Sequence, residues 1–191
     1  MARPRSEDKR NALIAAAVEV FAEHGINAPT ARIAKAAGVA EGTLFTYFST
    51  KDALLNALYL ALKGEMREAM LDGYPRAAPV RTRGEHMWRG YVDWGVSAAA
   101  KRKVMAQLAV SERIEAATRS AGSEGFADIS ALIHESMARG PLRDQPFEFV
   151  GAIMTSLAEA TMGFIAQHPA RAGEIREAGF DAFWRAVAGP D

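Results

Sequence analysis

The chain has 191 residues, 49% of them hydrophobic and 24% charged, with 23 basic side chains against 23 acidic ones. That is enough apolar material for one compact domain or two small ones, and a net charge of zero excludes a protein that coats nucleic acid indiscriminately. The absence of cysteine excludes disulfides and thiolate chemistry and suits a reducing cytoplasm, the expected location.

The first ten residues, MARPRSEDKR, are polar and read as an untethered tail, with a minor-groove arm carrying Arg3 and Arg5 as the other reading. Ala12 to Gly25, ALIAAAVEVFAEHG, reads as a first helix. Glu19 interrupts its apolar run and no small-residue cleavage pattern follows, so it is read neither as a signal sequence nor as a membrane span. Thr30 to Lys51, TARIAKAAGVAEGTLFTYFSTK, reads as two short helices joined by a tight turn. Thr30 is placed to cap the first of them, and Ile33, Ala34 and Ala37 fall on one buried face. Gly38 follows where a left-handed backbone must reverse the chain, and Val39 fills the angle between the helices. From Glu41 the helical spacing resumes, with Leu44 and Phe48 inward and Glu41, Gly42, Thr43, Phe45, Thr46 and Tyr47 on other faces. Two helices meeting in this way form a helix-turn-helix, and the exposed faces of the second would meet DNA.

After Lys51 the pattern stays helical. Asp52 to Leu71 repeats Leu55, Leu58, Leu62 and Met66, and Gly73, Pro75 and Pro79 end it. Helices are expected from Arg83 to about Ala100, from Lys103 to Thr118 and from Phe126 to Met137, before Gly140-Pro141 breaks the chain. A long apolar helix to about Gln167 and a last one ending near Val187 complete about nine helices, with no strand signal and no internal repeat. The penultimate helix is apolar on more than one side, through Val150, Ile153, Met154, Leu157, Thr161, Phe164 and Ile165, and the last one adds Phe180, Phe183 and Trp184. A second copy of the chain would cover the surplus, giving a four-helix bundle across a two-fold axis. Trp88, Tyr91 and Trp94 form an arc on one helix and, with Met105, Leu108, Met137 and Met154, line a candidate cavity for a small apolar ligand, or else plain core. Gln107, Ser111, Glu112, His134 and Thr155 are the polar side chains placed to orient a ligand there.

The run Gly-Val-x-x-Gly-Thr-Leu-Phe-x-Tyr-Phe-x-x-Lys-x-x-Leu-Leu, from Gly38 to Leu55, resembles the DNA-binding domain of TetR-family transcriptional regulators, and Ala12 to Gly25 resembles the first helix of that domain. The resemblance implies an all-α protein with a three-helix helix-turn-helix domain at residues 1–51 and a ligand-binding and dimerisation domain at 52–191. It places Glu41, Gly42, Thr43 and Thr46 near base edges or phosphates, Phe45 against sugar or a thymine methyl, and Tyr47 and Lys51 at phosphates. It also implies that Thr30 and Arg32 contact the DNA backbone at the start of the preceding helix, where free amides favour an anion. Two residues depart from the family pattern: Phe45 stands where a tyrosine is usual, and Ala40 where a serine often caps the recognition helix.

Charge agrees in sign. Residues 1–51 carry a net +2 and the remainder −2, a difference small enough that affinity needs two such domains acting together. The four histidines, His24, His86, His134 and His168, show no metal-ligand spacing, so neither a metal, a cofactor nor an enzyme is expected. The expected function is a homodimeric repressor released from a palindromic double-stranded operator by a small, apolar effector. The alternative is a helical dimer that binds a small molecule or a protein without binding DNA.

Overall fold

A computed structural model describes residues 6–138 and 140–189, which leaves Arg3 and Arg5 outside the described residues. Ten α-helices follow one another: α1 Glu7–His24, α2 Thr30–Ala36, α3 Glu41–Tyr47, α4 Lys51–Leu71, α5 Val80–Ser97, α6 Ala99–Ala109, α7 Ala116–Glu124, α8 Ala127–Met137, α9 Phe147–Gln167 and α10 Ala172–Ala188. A single 3-10 turn, Pro169–Arg171, precedes α10, and no strand occurs among the described residues.

The described chain gathers into two compact units. The first takes residues up to Gly64 together with Ala98–Gly122, and the second takes Glu65–Ser97 and everything from Ser123 onward. The described part of the expected DNA-reading segment, residues 6–51, therefore lies inside a larger unit that also holds the first half of α4 and all of α6.

In the first unit the apolar spacing of each helix meets at one core. Leu13, Ala17 and Phe21 from α1, Ile33 and Ala34 from α2, Leu44 from α3, Leu54, Leu55, Leu58 and Leu62 from α4, and Val104 and Leu108 from α6 are all buried there. The large side chains among these are removed from water at about 1.5–3 kcal/mol each, which holds two seven-residue helices that would not persist alone.

One expected helix, Lys103 to Thr118, is two. The chain leaves α6 at Val110 and enters α7 only at Ala116. The intervening backbone is satisfied from elsewhere in the unit. Asn56 donates to the carbonyl of Arg113 and accepts the Glu115 N–H, while Arg119 donates to the carbonyls of Ala109 and Ser111. With those groups paired, breaking the helix carries no unsatisfied backbone cost.

In the second unit α5, α8, α9 and α10 pack against one another. Trp88 of α5 stacks on Phe183 of α10 at 5.7 Å between ring centroids, and its indole N–H donates to the carbonyl of Arg176 at 3.0 Å. Gly90 lets α5 close on the last turns of α4, since a side chain there would collide with the backbone of Ala69 and Met70. By length and composition α9 is apolar enough to cross a membrane, a test that the core helix of a globular protein also passes. The cause is its apolar excess beyond the face that α5 and α10 cover, which leaves Phe149 and Phe164 48% and 57% exposed.

Candidate nucleic-acid interface

The turn between α2 and α3 is a closed hydrogen-bonded unit. Gly38 has φ +68°, its N–H donates to the carbonyl of Lys35 at 3.1 Å, and the N–H of Val39 reaches back to the carbonyl of Ala34 at 3.0 Å. This double closure is the Schellman arrangement, which needs a left-handed residue at the glycine position. Val39 is half-buried against the core and fixes the angle between the helices.

Within α3 the inward and outward residues separate cleanly. Leu44 and, just beyond the helix, Phe48 are buried, whereas Glu41, Gly42, Phe45 and Thr46 are exposed and Thr43 and Tyr47 half-exposed. Phe45 stands 42% exposed. The helix is thus anchored by one side and presents the other, the arrangement in which a recognition helix enters a major groove.

The individual side chains are more engaged than sequence suggests. Thr30 does not cap α2. Pro29 occupies the cap position, Thr30 is the first helical residue, and its hydroxyl donates instead to Oε1 of Glu41 at 2.6 Å. Arg32 is exposed, and its guanidinium is hydrogen-bonded to Nε2 of His24 at 3.0 Å. Thr46 donates to the carbonyl of Gly42 at 3.1 Å, and the phenol oxygen of Tyr47 accepts the backbone N–H of Ser6 at 3.2 Å. Lys51 is half-buried, with its ammonium 5.8 Å above the Phe21 ring. Burial, helped by the Arg113 charge, holds that ammonium below the usual lysine value, against an opposing pull from Asp52. Nothing caps α3 at Ala40, whose side chain offers no acceptor.

The expected ligand-binding residues divide. Trp88, Tyr91 and Met154 line a narrow, partly open apolar void in the second unit, together with Met70, Met87, Leu132, Phe183 and Trp184. Its volume is about 20 Å³, room for a water but far short of the several hundred Å³ of a drug-sized site, so this face is core in the present conformation. Leu108 and Met105 pack in the first unit's core instead, and Met137 is buried elsewhere in the second. Trp94 stacks on Tyr91 and lies beside the Glu65–Asp72 turns of α4, outside the void. None of the five polar candidates lines the void. Gln107 accepts the Ile26 N–H, His134 stacks on Phe147, and the polar residue that does line it, Ser136, gives its hydroxyl proton to the carbonyl of Leu132. Helical spacing could show that these faces were buried, not which of them met.

The expected dimer residues divide as well. Val150, Thr161, Ile165, Phe180, Phe183 and Trp184 are buried within their own chain, so their apolar character is used internally. Ile153, Met154 and Leu157 are half-buried and Phe164 is exposed. Phe149, which the sequence reading passed over, belongs with them by exposure.

An anchored helix-turn-helix at the head of an all-helical chain is an architecture that DNA-binding regulators use. The model of the bacterial regulatory proteins of the tetR family matches residues 13–58, the span from α1 into α4. A fatty acid metabolism regulator protein of Bacillus subtilis (strain 168) is 44% identical over 59 residues, which is 30% of this chain and 30% of that protein. The crystal structure of a tetR family transcription regulator from Shewanella sp. PV-4 is 28% identical, covers 96% of this chain and 98% of its own, and superposes with a TM-score of 0.82. That of a TetR family regulator from Marinobacter aquaeolei VT8, 22% identical over 97% of this chain and 98% of its own, shares the fold with a TM-score of 0.84. Residues 13–58 thus match the DNA-binding head of the tetR family, and the whole chain shares the fold of solved TetR-family regulators.

Proposed function

We propose that the protein is a cytoplasmic homodimeric repressor that binds a palindromic operator through α3 and leaves it when a small apolar molecule binds the second unit. The observation that carries the reading is the outward face of α3, where Glu41, Gly42, Phe45 and Thr46 are exposed on a helix held by Leu44 from behind. One such helix reads only a few base pairs, so specificity calls for two related by a two-fold axis.

The second copy is supported by α9. Its exposed Phe149 and Phe164 and half-buried Ile153 and Leu157 lie on an apolar helix, and an open groove of about 420 Å³ between α9 and α10 is lined by Leu157, Phe164 and Ile175. The effector reading is supported by the void ringed by Met70, Met87 and Met154, whose flexible thioethers repack at low cost when a ligand enters. Such a ligand acts only through a better fit to the conformation that does not bind DNA.

The first test selects bound sequences from random duplex DNA with purified protein and titrates salt on the winner. A palindrome bound by a dimer, with affinity falling steeply in salt, supports the reading. No enrichment at low salt from folded dimer favours the second reading, a helical binding dimer without DNA-binding activity. That alternative draws on the Ser6 N–H at Tyr47 and the Phe21 ring beneath Lys51, which engage two of the expected phosphate contacts internally.

A further inference from the structure

Glu41 is the one carboxylate between Thr30 and Thr50, on a segment whose other charged side chains are Arg32 and Lys35. A carboxylate on a helix that enters a groove walled by phosphates is repelled unless it accepts a hydrogen bond there. Its position is not left to chance. Oε1 accepts the Thr30 hydroxyl proton at 2.6 Å, which joins the first residue of α3 to the first residue of α2 across 11 positions of sequence.

Two consequences follow from the donor count. A hydroxyl has a single proton, so while the pair is made Thr30 cannot donate from its side chain to a phosphate, and its side chain serves Glu41 instead. A carboxylate has about four lone-pair sites on two oxygens, and Oε2 of Glu41 accepts nothing from the described residues. The acid is therefore oriented by one oxygen and open to an outside donor at the other.

In the major groove the outside donors are the exocyclic amino groups of cytosine and adenine. On adenine the amino group sits beside the N7 lone pair, which repels a carboxylate, whereas cytosine presents its amino group beside a C–H. We propose that Glu41, oriented by Thr30, accepts from a cytosine amino group and sets the preference for one base pair in each half-site. This rests on the DNA-binding reading above and adds the base class read and the pair of residues that reads it. Glu41 is the reading residue and Thr30 a positioning residue.

The experiment is operator selection with the full-length wild type, Glu41→Gln, Glu41→Ala and Thr30→Val, followed by affinity measurements on the four single-base variants of the selected position. Thr30 and Glu41 lie at the surface, and circular dichroism checks that each variant is folded. Wild type is expected to favour cytosine at one position of each half-site by about tenfold or more. Glu41→Gln should shift that position towards adenine, whose amino group and N7 match an amide. Thr30→Val should keep cytosine as the favoured base but narrow the ratio between it and the other three several-fold.

If the Glu41 variants select the same sequence as wild type and merely bind every duplex more tightly, Glu41 is a repulsive first-turn acid and the proposal falls. A Thr30→Val protein with undiminished preference removes the positioning role. No selection by wild type overturns the DNA reading and this inference with it, an outcome distinct from selection that ignores Glu41.

Discussion

Asn56 of α4 donates from Nδ2 to the carbonyl of Arg113 at 3.0 Å, and so reaches 57 positions along the chain to hold the turn that ends α6. The same side chain donates to the carbonyl of Asp52 at 2.8 Å and accepts the Glu115 N–H at 3.0 Å. Asp52, one turn earlier, is ion-paired with the Arg113 guanidinium. A buried amide with this many partners leaves several of them unpaired when removed. Asn56→Ala should cost about 2–3 kcal/mol in urea denaturation. A loss below half a kcal/mol would mean that water replaces it freely.

α4 begins in the first unit and ends in the second, which makes it the segment to test as a route for a signal. Leu62, the natural residue to perturb, is almost fully buried in the first unit's core, so Leu62→Ala should lose about 2–5 kcal/mol of stability before any ligand response can be read. Leu62→Met keeps the volume and is the usable variant. If α4 couples the two units, this change alters effector response more than DNA affinity. Equal losses in the two assays would count against that route.

Phe45 and Phe48 lie three residues apart with opposite fates. Phe45→Ala should cost far less stability than Phe48→Ala and reduce operator affinity, because its side chain is 42% exposed and lies outside the buried core. Phe48→Ala should cost about 3–5 kcal/mol, since that ring is buried beneath the Arg10 guanidinium. Thermal melts of the two variants side by side decide the matter.

Gly38 and Gly90 are both intolerant of alanine for different reasons. No atom stands within 4 Å of a Cβ built on Gly38, so Gly38→Ala should cost only the left-handed backbone, about 1–2 kcal/mol. At Gly90 the backbone angle is ordinary but the new methyl meets the Ala69 backbone, so α4 and α5 must part. Gly90→Ala should therefore cost at least about 2 kcal/mol and also disturb packing around Met70. Tryptophan fluorescence should change for Gly90→Ala, through Trp88 and Trp94, and stay constant for Gly38→Ala.

Burial holds the Lys63 ammonium below the usual lysine value. The folded protein then releases that proton at lower pH than the unfolded chain, so in the interval between, the unfolded chain binds more protons and stability rises with pH. Lys63→Met should be more stable than wild type at pH ~7, with the gap narrowing as pH approaches about 10. Burial raises the neighbouring Tyr59 phenol in turn, which works against stability only at higher pH, so the comparison is made below that range. A gap that stays constant would show that the Lys63 charge is not the cause.

What the sequence determined by itself is the DNA-reading head. Its signals are local: a glycine where the chain must turn left-handed, Leu44 and Phe48 at helical spacing, and the outward residues between them, all within some twenty positions. Local propensity and periodicity suffice there because the partners are near in the chain. The all-helical class was legible for the same reason. What only the tertiary structure decided is where each buried face goes. The break between α6 and α7 exists because Asn56, far away in sequence, satisfies the backbone there. Phe183 and Trp184 read as a dimer face and instead close over Trp88 and its void, while Leu108 joins the first unit rather than that void. The Thr30 hydroxyl, read as a cap, turns to Glu41 once α2 and α3 are packed together. A periodic stripe states that a surface leaves water, and the partner it meets depends on contacts that no short stretch of sequence contains.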